Sequence, residues 1–299
     1  MELQQMRYVL AVAEERSFTR AAARCHVVQS ALSHQIKALE RELGVALFAR
    51  NSRRVETTDA GEAFLAAARA CLRSAERAAA DAAAAAGQLR GTLTIGLIPT
   101  VTAVDIPAAL GEFRRAHPGV RVTVREGASD VFVEAIADGS MDVAVLGLPG
   151  ALARTGVGAR VLASARHVAV VPVGHPLADR RSVRLADLAD EVFVDFPEGS
   201  GGRAQSDLAF REAGLGRDIA FEVMSTGLML GLVRNGLAVA LLPPGVMPEG
   251  DDLRAVTVRD GPRRVEYLAW SDFNPSRAAR AFVEVVSRPS PAPRPASGG

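Results

Sequence analysis

From Thr92 onward the sequence alternates short apolar runs of strand length with stretches whose apolar residues recur at helical spacing, whereas the residues before it carry the helical spacing alone. That change of rhythm predicts helices first, then sheets covered by helices: an α plus α/β fold class. Strands are predicted at 92–97, 120–126, 141–148, 167–173, 191–196, 219–223, 237–243 and 265–270, and helices at 106–117, 129–139, 203–214, 227–236 and 276–286. These strands are too many for one small sheet, and the run breaks near "LASAR". Two lobes are therefore expected in 91–288, lobe I from 91–163 plus 268–288 and lobe II from 164–267.

The N-terminal part divides further. In "LQQMRYVLAVAEE" the residues Leu3, Met6, Leu10 and Ala13 predict one helix, and Ser17 or Thr19 can cap a short second one over "TRAAARC". "HVV" interrupts the pattern before "QSALSHQIKALEREL". At about 100° per residue, Leu32, Ile36, Leu39 and Leu43 fall in one narrow seam, Ser30, His34, Lys37 and Arg41 fall opposite, and Gly44 ends the helix. A turn at Asn51-Ser52 with Arg53, Arg54 and Val55 suits a small basic hairpin. Thr58 or Asp59 then caps a helix that runs to Gly87 and spans roughly 40–45 Å. Its stripe of Phe64, Leu65, Ala68, Leu72, Ala75 and Ala79 suits close pairing of two copies. The resulting domains are 1–58, a linker and dimerisation helix at 59–90, the lobes at 91–288, and a Pro-, Ser- and Gly-rich tail, 289–299, expected to be disordered.

Two short helices, a tight break and a helix with a polar, cationic face make a helix-turn-helix, here at about 18–37, with the hairpin as its wing. On that reading Gln29 bonds adenine edges, His34 reaches guanine or phosphate, and Ser30 and Ser33 add hydroxyls. Lys37 and Arg41 neutralise phosphates, and Arg53 and Arg54 reach the flanking backbone or minor groove. Residues 1–58 carry nine Lys/Arg against six Glu, in a chain whose formal net charge is only +1. The competing reading of the same face is the solvated side of a surface helix.

Other classes are poorly served. The chain has no apolar stretch of the ~18 residues a membrane span requires, and its N-terminus has no signal-peptide core, so a cytoplasmic protein is expected. The two cysteines, Cys25 and Cys71, read as small packed residues, and the histidines have no metal-ligand spacing. No catalytic motif stands in the α/β half, and "GSGG" lacks the Lys-Ser/Thr of a phosphate loop. A solute-binding protein or an enzyme of the same α/β fold is the alternative; the first would need an export signal and no helix-turn-helix.

The stretch "SFTRAAARCHVVQSALSHQIKALERELGVALFARNSRRVETTDAGEAFL" resembles the N-terminal domain of LysR-type transcriptional regulators, and "LTIGLIPT", "FRRAHPGVRVTVREGAS", "GSMDVAVLG", "GHPLA" and "GLAVALLP" follow in matching order. The resemblance implies a winged helix-turn-helix, a dimerising linker helix and a two-lobed effector domain like the periplasmic binding proteins. It implies double-stranded DNA with an interrupted palindrome as partner, a homodimer or homotetramer, contact with RNA polymerase, and a non-covalent small-molecule effector as the sole ligand. Val28 departs from the Ser or Thr usual before the recognition-helix glutamine, a loss of about 1 kcal/mol in capping. For the effector, Thr100, Val101 and Thr102 are read as hydroxyls and free N–H groups at a helix start, and Ser225 and Thr226 as a second such end, favouring a carboxylate or other anion. Ser200 and Arg203 in a flexible loop, with Gly147 and Leu148, complete the candidate cleft. Thr100 and Thr226 read equally as caps, and Arg203 more readily as a solvated surface residue. No cysteine follows Cys71, which excludes a thiol-based peroxide sensor in the effector half.

Overall fold

The computed structural model describes residues 1–50, 55–85, 89–247, 250, 252–272 and 275–288. The chain divides into two compact units, Met1–Gln88 with Asp138–Ser140, and Leu89–Ala137 with Met141–Gly299. The expected turn at Asn51-Ser52, the helix end at Gly87 and the tail 289–299 lie outside the described residues.

The first unit contains α1 (Leu3–Glu15), α2 (Phe18–Arg24), α3 (Gln29–Leu43), the antiparallel strands β1 (Phe48–Arg50) and β2 (Val55–Thr57), and α4 (Asp59–Ala85). Ser17 caps α2 by accepting from the Arg20 N–H at 3.3 Å, and Thr58 caps α4 by accepting from the Gly61 N–H at 3.0 Å. Gly44 ends α3 at φ 71°, a left-handed conformation that costs glycine little. Val9, Val12, Ala21, Leu32, Ile36, Leu39, Leu47 and Leu65 form the core. Two residues of the expected seams fall outside it: Leu3 and Leu43 are exposed. The buried set of α1 is Gln5, Met6, Tyr8, Val9, Ala11 and Val12, broader than one stripe because α1 packs on α2, α3 and α4 together. Leu65, Ala68 and Leu72 of α4 are buried, the last two against Met6, while Ala79 is exposed. Cys25 is half-buried, but Cys71, expected to be packed, is exposed, since it stands one residue off the Leu72 stripe.

The second unit runs β3 (Gly91–Leu97), α5 (Ile106–Ala116), β4 (Val120–Glu126), α6 (Ser129–Ala137), β5 (Val143–Leu148), β6 (Val157–Arg166), β7 (Val168–Pro172), β8 (Ser182–Val183), β9 (Val192–Asp195), α7 (Gly201–Glu212), β10 (Asp218–Glu222), α8 (Thr226–Arg234), β11 (Ala240–Leu242), β12 (Leu253–Val258), β13 (Arg263–Ser271) and α9 (Arg277–Ser287). One sheet has the order β4-β3-β5-β13-β6; a second has β11-β7-β12-β8, with the parallel pair β10-β9 bridged to it at Phe193 and Val239. Leu93, Phe113, Val143, Leu268 and Phe282 fill the core of the first lobe, and Val171, Leu185, Phe193, Phe210 and Val256 that of the second. "LASAR" is not a break but the end of β6, an edge strand whose solvent positions include Arg160. Pairing on the first sheet continues to Arg166 opposite Arg263. The chain therefore passes between the sheets at His167 and again at 259–262, not at 163/164 and 267/268.

Candidate nucleic-acid interface and interlobe cavity

The Leu32, Ile36 and Leu39 seam fixes the rotation of α3 and leaves Gln29, Ser30, His34, Lys37 and Arg41 exposed, with Ser33 half-buried. The acids of this helix are turned elsewhere. The Glu40 carboxylate accepts from the Leu47 and Phe48 N–H groups at 2.9 and 3.3 Å, and Glu42 pairs with the N-terminal amine at 2.8 Å. An open groove of about 490 Å³ follows the helix, lined by His34, Lys37, Glu40, Arg41, Gly44, Val45 and Ala46. With Glu40 committed to the β1 strand, the free charge along it is that of Lys37 and Arg41, which suits a phosphate backbone. Val28 is the N-cap residue and makes no side-chain capping bond; its carbonyl accepts from the Ala31 and Leu32 N–H groups. Arg53 and Arg54 lie outside the described residues.

A second candidate site is a cavity between the two lobes, lined by residues that include Thr100, Ser129, Gly147, His167, Phe196, Ser200, Gln205 and Arg264. Of the predicted effector residues, Thr100, Gly147 and Ser200 line it; Val101, Thr102, Leu148, Arg203, Ser225 and Thr226 do not. Val101 packs on the core of the first lobe, and Leu148 against the Phe132 and Tyr267 cluster. Thr100–Thr102 do not stand at a helix start: α5 begins at Ile106, capped by Asp105, which accepts from the Ala108 N–H at 2.9 Å. The Thr102 N–H is not free either. The Glu266 carboxylate accepts from the N–H groups of Thr102 and Ala103, each at 3.1 Å, and from the Thr102 hydroxyl at 2.9 Å. Ser200 and Ser225 cap α7 and α8, and the Thr226 hydroxyl donates to the Pro99 carbonyl at 3.1 Å. Arg203 is neither solvated nor turned to the cavity; it pairs with Asp207 at 3.0 Å and Glu222 at 2.7 Å.

The groups that dominate this cavity were not predicted. Arg264 donates to the Thr100 hydroxyl at 2.8 Å and pairs with Glu266 at 2.6 Å. Its Nε and both ring nitrogens of buried His167 have no partner among the described residues. Burial, reinforced by the Arg264 charge, pulls the His167 pKa down to about 3, so the ring is neutral. Gln205 donates from Nε2 to the Gly147 carbonyl at 2.9 Å, which leaves its Oε1 unpartnered. The cavity holds about 30 Å³, space for about one water. The one legible signal was two charged residues at alternate positions of a strand, Arg264 and Glu266, which places both on one face.

Both parts of the chain match known families. A family model described as "Bacterial regulatory helix-turn-helix protein, lysR family" matches residues 3–62, and one described as "LysR substrate binding domain" matches 86–288. The HTH-type transcriptional regulator YnfL of Escherichia coli is 37% identical over 293 residues, covering 94% of this chain and 96% of that protein. The transcriptional dual regulator GltC of Bacillus subtilis is 33% identical over 249 residues, 83% of each chain. The crystal structure of full-length CbnR complexed with its target DNA superposes with a TM-score of 0.69 at 27% identity, covering 96% of this chain and 99% of that one.

Proposed function

The chain belongs to the lysR family of bacterial helix-turn-helix regulators, and from that membership we propose how its residues divide the work. It is a DNA-binding transcriptional regulator with a C-terminal effector-binding domain, not an enzyme. Helix α3 lies in the major groove. Gln29, Ser30, Ser33 and His34 meet base edges there, while Lys37, Arg41, Arg53 and Arg54 hold phosphates. Two copies joined through α4, or four, occupy the half-sites of an interrupted palindrome in the cytoplasm. Among the described residues no helix is long and apolar enough to cross a membrane.

A small molecule, anionic in the first instance, enters between the lobes, shifts the population toward one lobe arrangement, and alters the bound DNA and the recruitment of RNA polymerase. The unpartnered Arg264 Nε and the first turn of α7, where Ser200, Gly201 and Gly202 line the cavity, support an electron-rich ligand. The observation that carries the reading is the exposed α3 face whose own acids are tied elsewhere. The test is selection of duplexes from a random pool by the full-length protein and footprinting upstream of its own gene, with thermal-shift screening against small carboxylates and aromatic acids. An inverted repeat protected by the protein, and a carboxylate that raises Tm and alters the footprint, are expected. Enrichment of no sequence would contradict the DNA role; a response to no acid would leave a constitutive regulator.

A further inference from the structure

We propose that Val28 reads the methyl group of a thymine in the major groove, a sequence contact placed just ahead of Gln29. The inference rests on the placement of α3 in that groove. Val28 is 68% exposed, more than any other large apolar residue among those described. It sits at the leading end of the recognition helix, the end whose residues reach base edges in helix-turn-helix proteins. Gln29, Ser30 and Ala31 beside it are exposed as well, so its two methyls and that of Ala31, one turn on, form an apolar spot among polar readers.

The local chemistry leaves this side chain nothing to do within the fold. The Val28 backbone carbonyl is already used by Ala31 and Leu32, and its side chain cannot accept from the N–H groups of the first turn. A hydroxyl there would turn back to cap the helix or bond a phosphate; a β-branched hydrocarbon can do neither. In the major groove only thymine offers a hydrocarbon partner, its C5-methyl. Covering one methyl is worth roughly fourfold in affinity.

The experiment uses the full-length protein and a duplex it has selected. Each thymine of each half-site is replaced singly by deoxyuridine, which deletes that methyl and nothing else. Wild type is expected to lose about fourfold at one position per half-site, next to the base pair that depends on Gln29. Val28→Ala is expected to lose most of the discrimination between thymine and uracil at that position. Val28→Thr, which keeps one of the two methyls and adds a capping hydroxyl, is expected to melt no lower than wild type and to keep part of the methyl dependence. No uracil-sensitive position, or equal sensitivity in Val28→Ala, would overturn the proposal and place Val28 against sugar or backbone. Failure to select any sequence would overturn the placement of α3 and this proposal with it; selected sites without methyl dependence overturn this proposal alone.

Discussion

Arg264 and Glu266 stand two residues apart on β13 and form an ion pair of 2.6 Å with both side chains almost fully buried. The same carboxylate accepts from the Thr102 and Ala103 N–H groups, so one acid from the end of the chain organises the loop after β3. Burial lowers the Arg264 pKa and the neighbouring Glu266 charge opposes that, leaving a pair whose members depend on each other. Glu266→Gln leaves the guanidinium buried without its counter-charge and is expected to cost about 3–5 kcal/mol in urea unfolding of the effector domain. Combining it with Arg264→Met should recover part of that loss, because the unpaired charge is then gone. Losses of the Glu266→Gln and Arg264→Met single variants that simply add in the double variant would show that the pair is not coupled.

His167 makes stability depend on pH in a stated direction. Below the ordinary histidine value of 6.5, the unfolded chain takes up a proton that the folded ring refuses down to about 3. The unfolded state therefore binds more protons in that window, and stability falls as pH drops from 6.5 toward 3, by up to about 1.4 kcal/mol per pH unit from this group. Wild type should lose this component progressively in acid, and a His167→Gln variant should show a shallower slope in parallel denaturant titrations. Identical slopes would mean that the ring is accessible to protons in the folded state.

Gly147 is required by its neighbour. A Cβ there would stand 2.8 Å from Arg264 Nε and 2.9 Å from Ile98 Cδ1, closer than real contacts allow. Gly147→Ala is expected to destabilise by about 1–3 kcal/mol and to weaken any ligand-induced rise in Tm, both readable in one thermal-shift series. An unchanged Tm would show that the Arg264 side chain moves aside freely.

Lys37 and Arg41 line the groove beside α3, and we propose them as phosphate contacts. Replacing either by Ala should weaken binding to all duplexes alike and lower the slope of log affinity against log salt by about 0.9 each. A loss confined to the selected operator would instead make them base readers.

The helix-turn-helix was legible because its signals are local: a three-residue seam, a capping serine at Ser17, a glycine stop at Gly44. The same periodicity could not say that Leu3 and Leu43 stay exposed, since burial depends on how far a partner helix reaches. In the second unit β12 and β6 both lie outside the predicted strands: the buried Leu253, Val256 and Val258 of β12 do not alternate strictly, and β6, an edge strand, keeps no continuous apolar face. The anion expected at Thr102 turned out to be the protein's own Glu266, 164 residues away. Free N–H groups can be counted in a sequence; the side chain that folds back to fill them cannot. His167 was hidden for the same reason, as only the passage of the chain between the sheets buries it beside Arg264.

The most direct measurement is the ratio of operator to scrambled-duplex affinity for wild type, Gln29→Ala and His34→Ala at one fixed salt concentration. If the exposed face of α3 meets base edges, wild type discriminates by about 10³ or more. Each variant then loses roughly tenfold or more of that ratio while its affinity for scrambled DNA stays the same. Variants that keep the full wild-type ratio would contradict the assignment of this face.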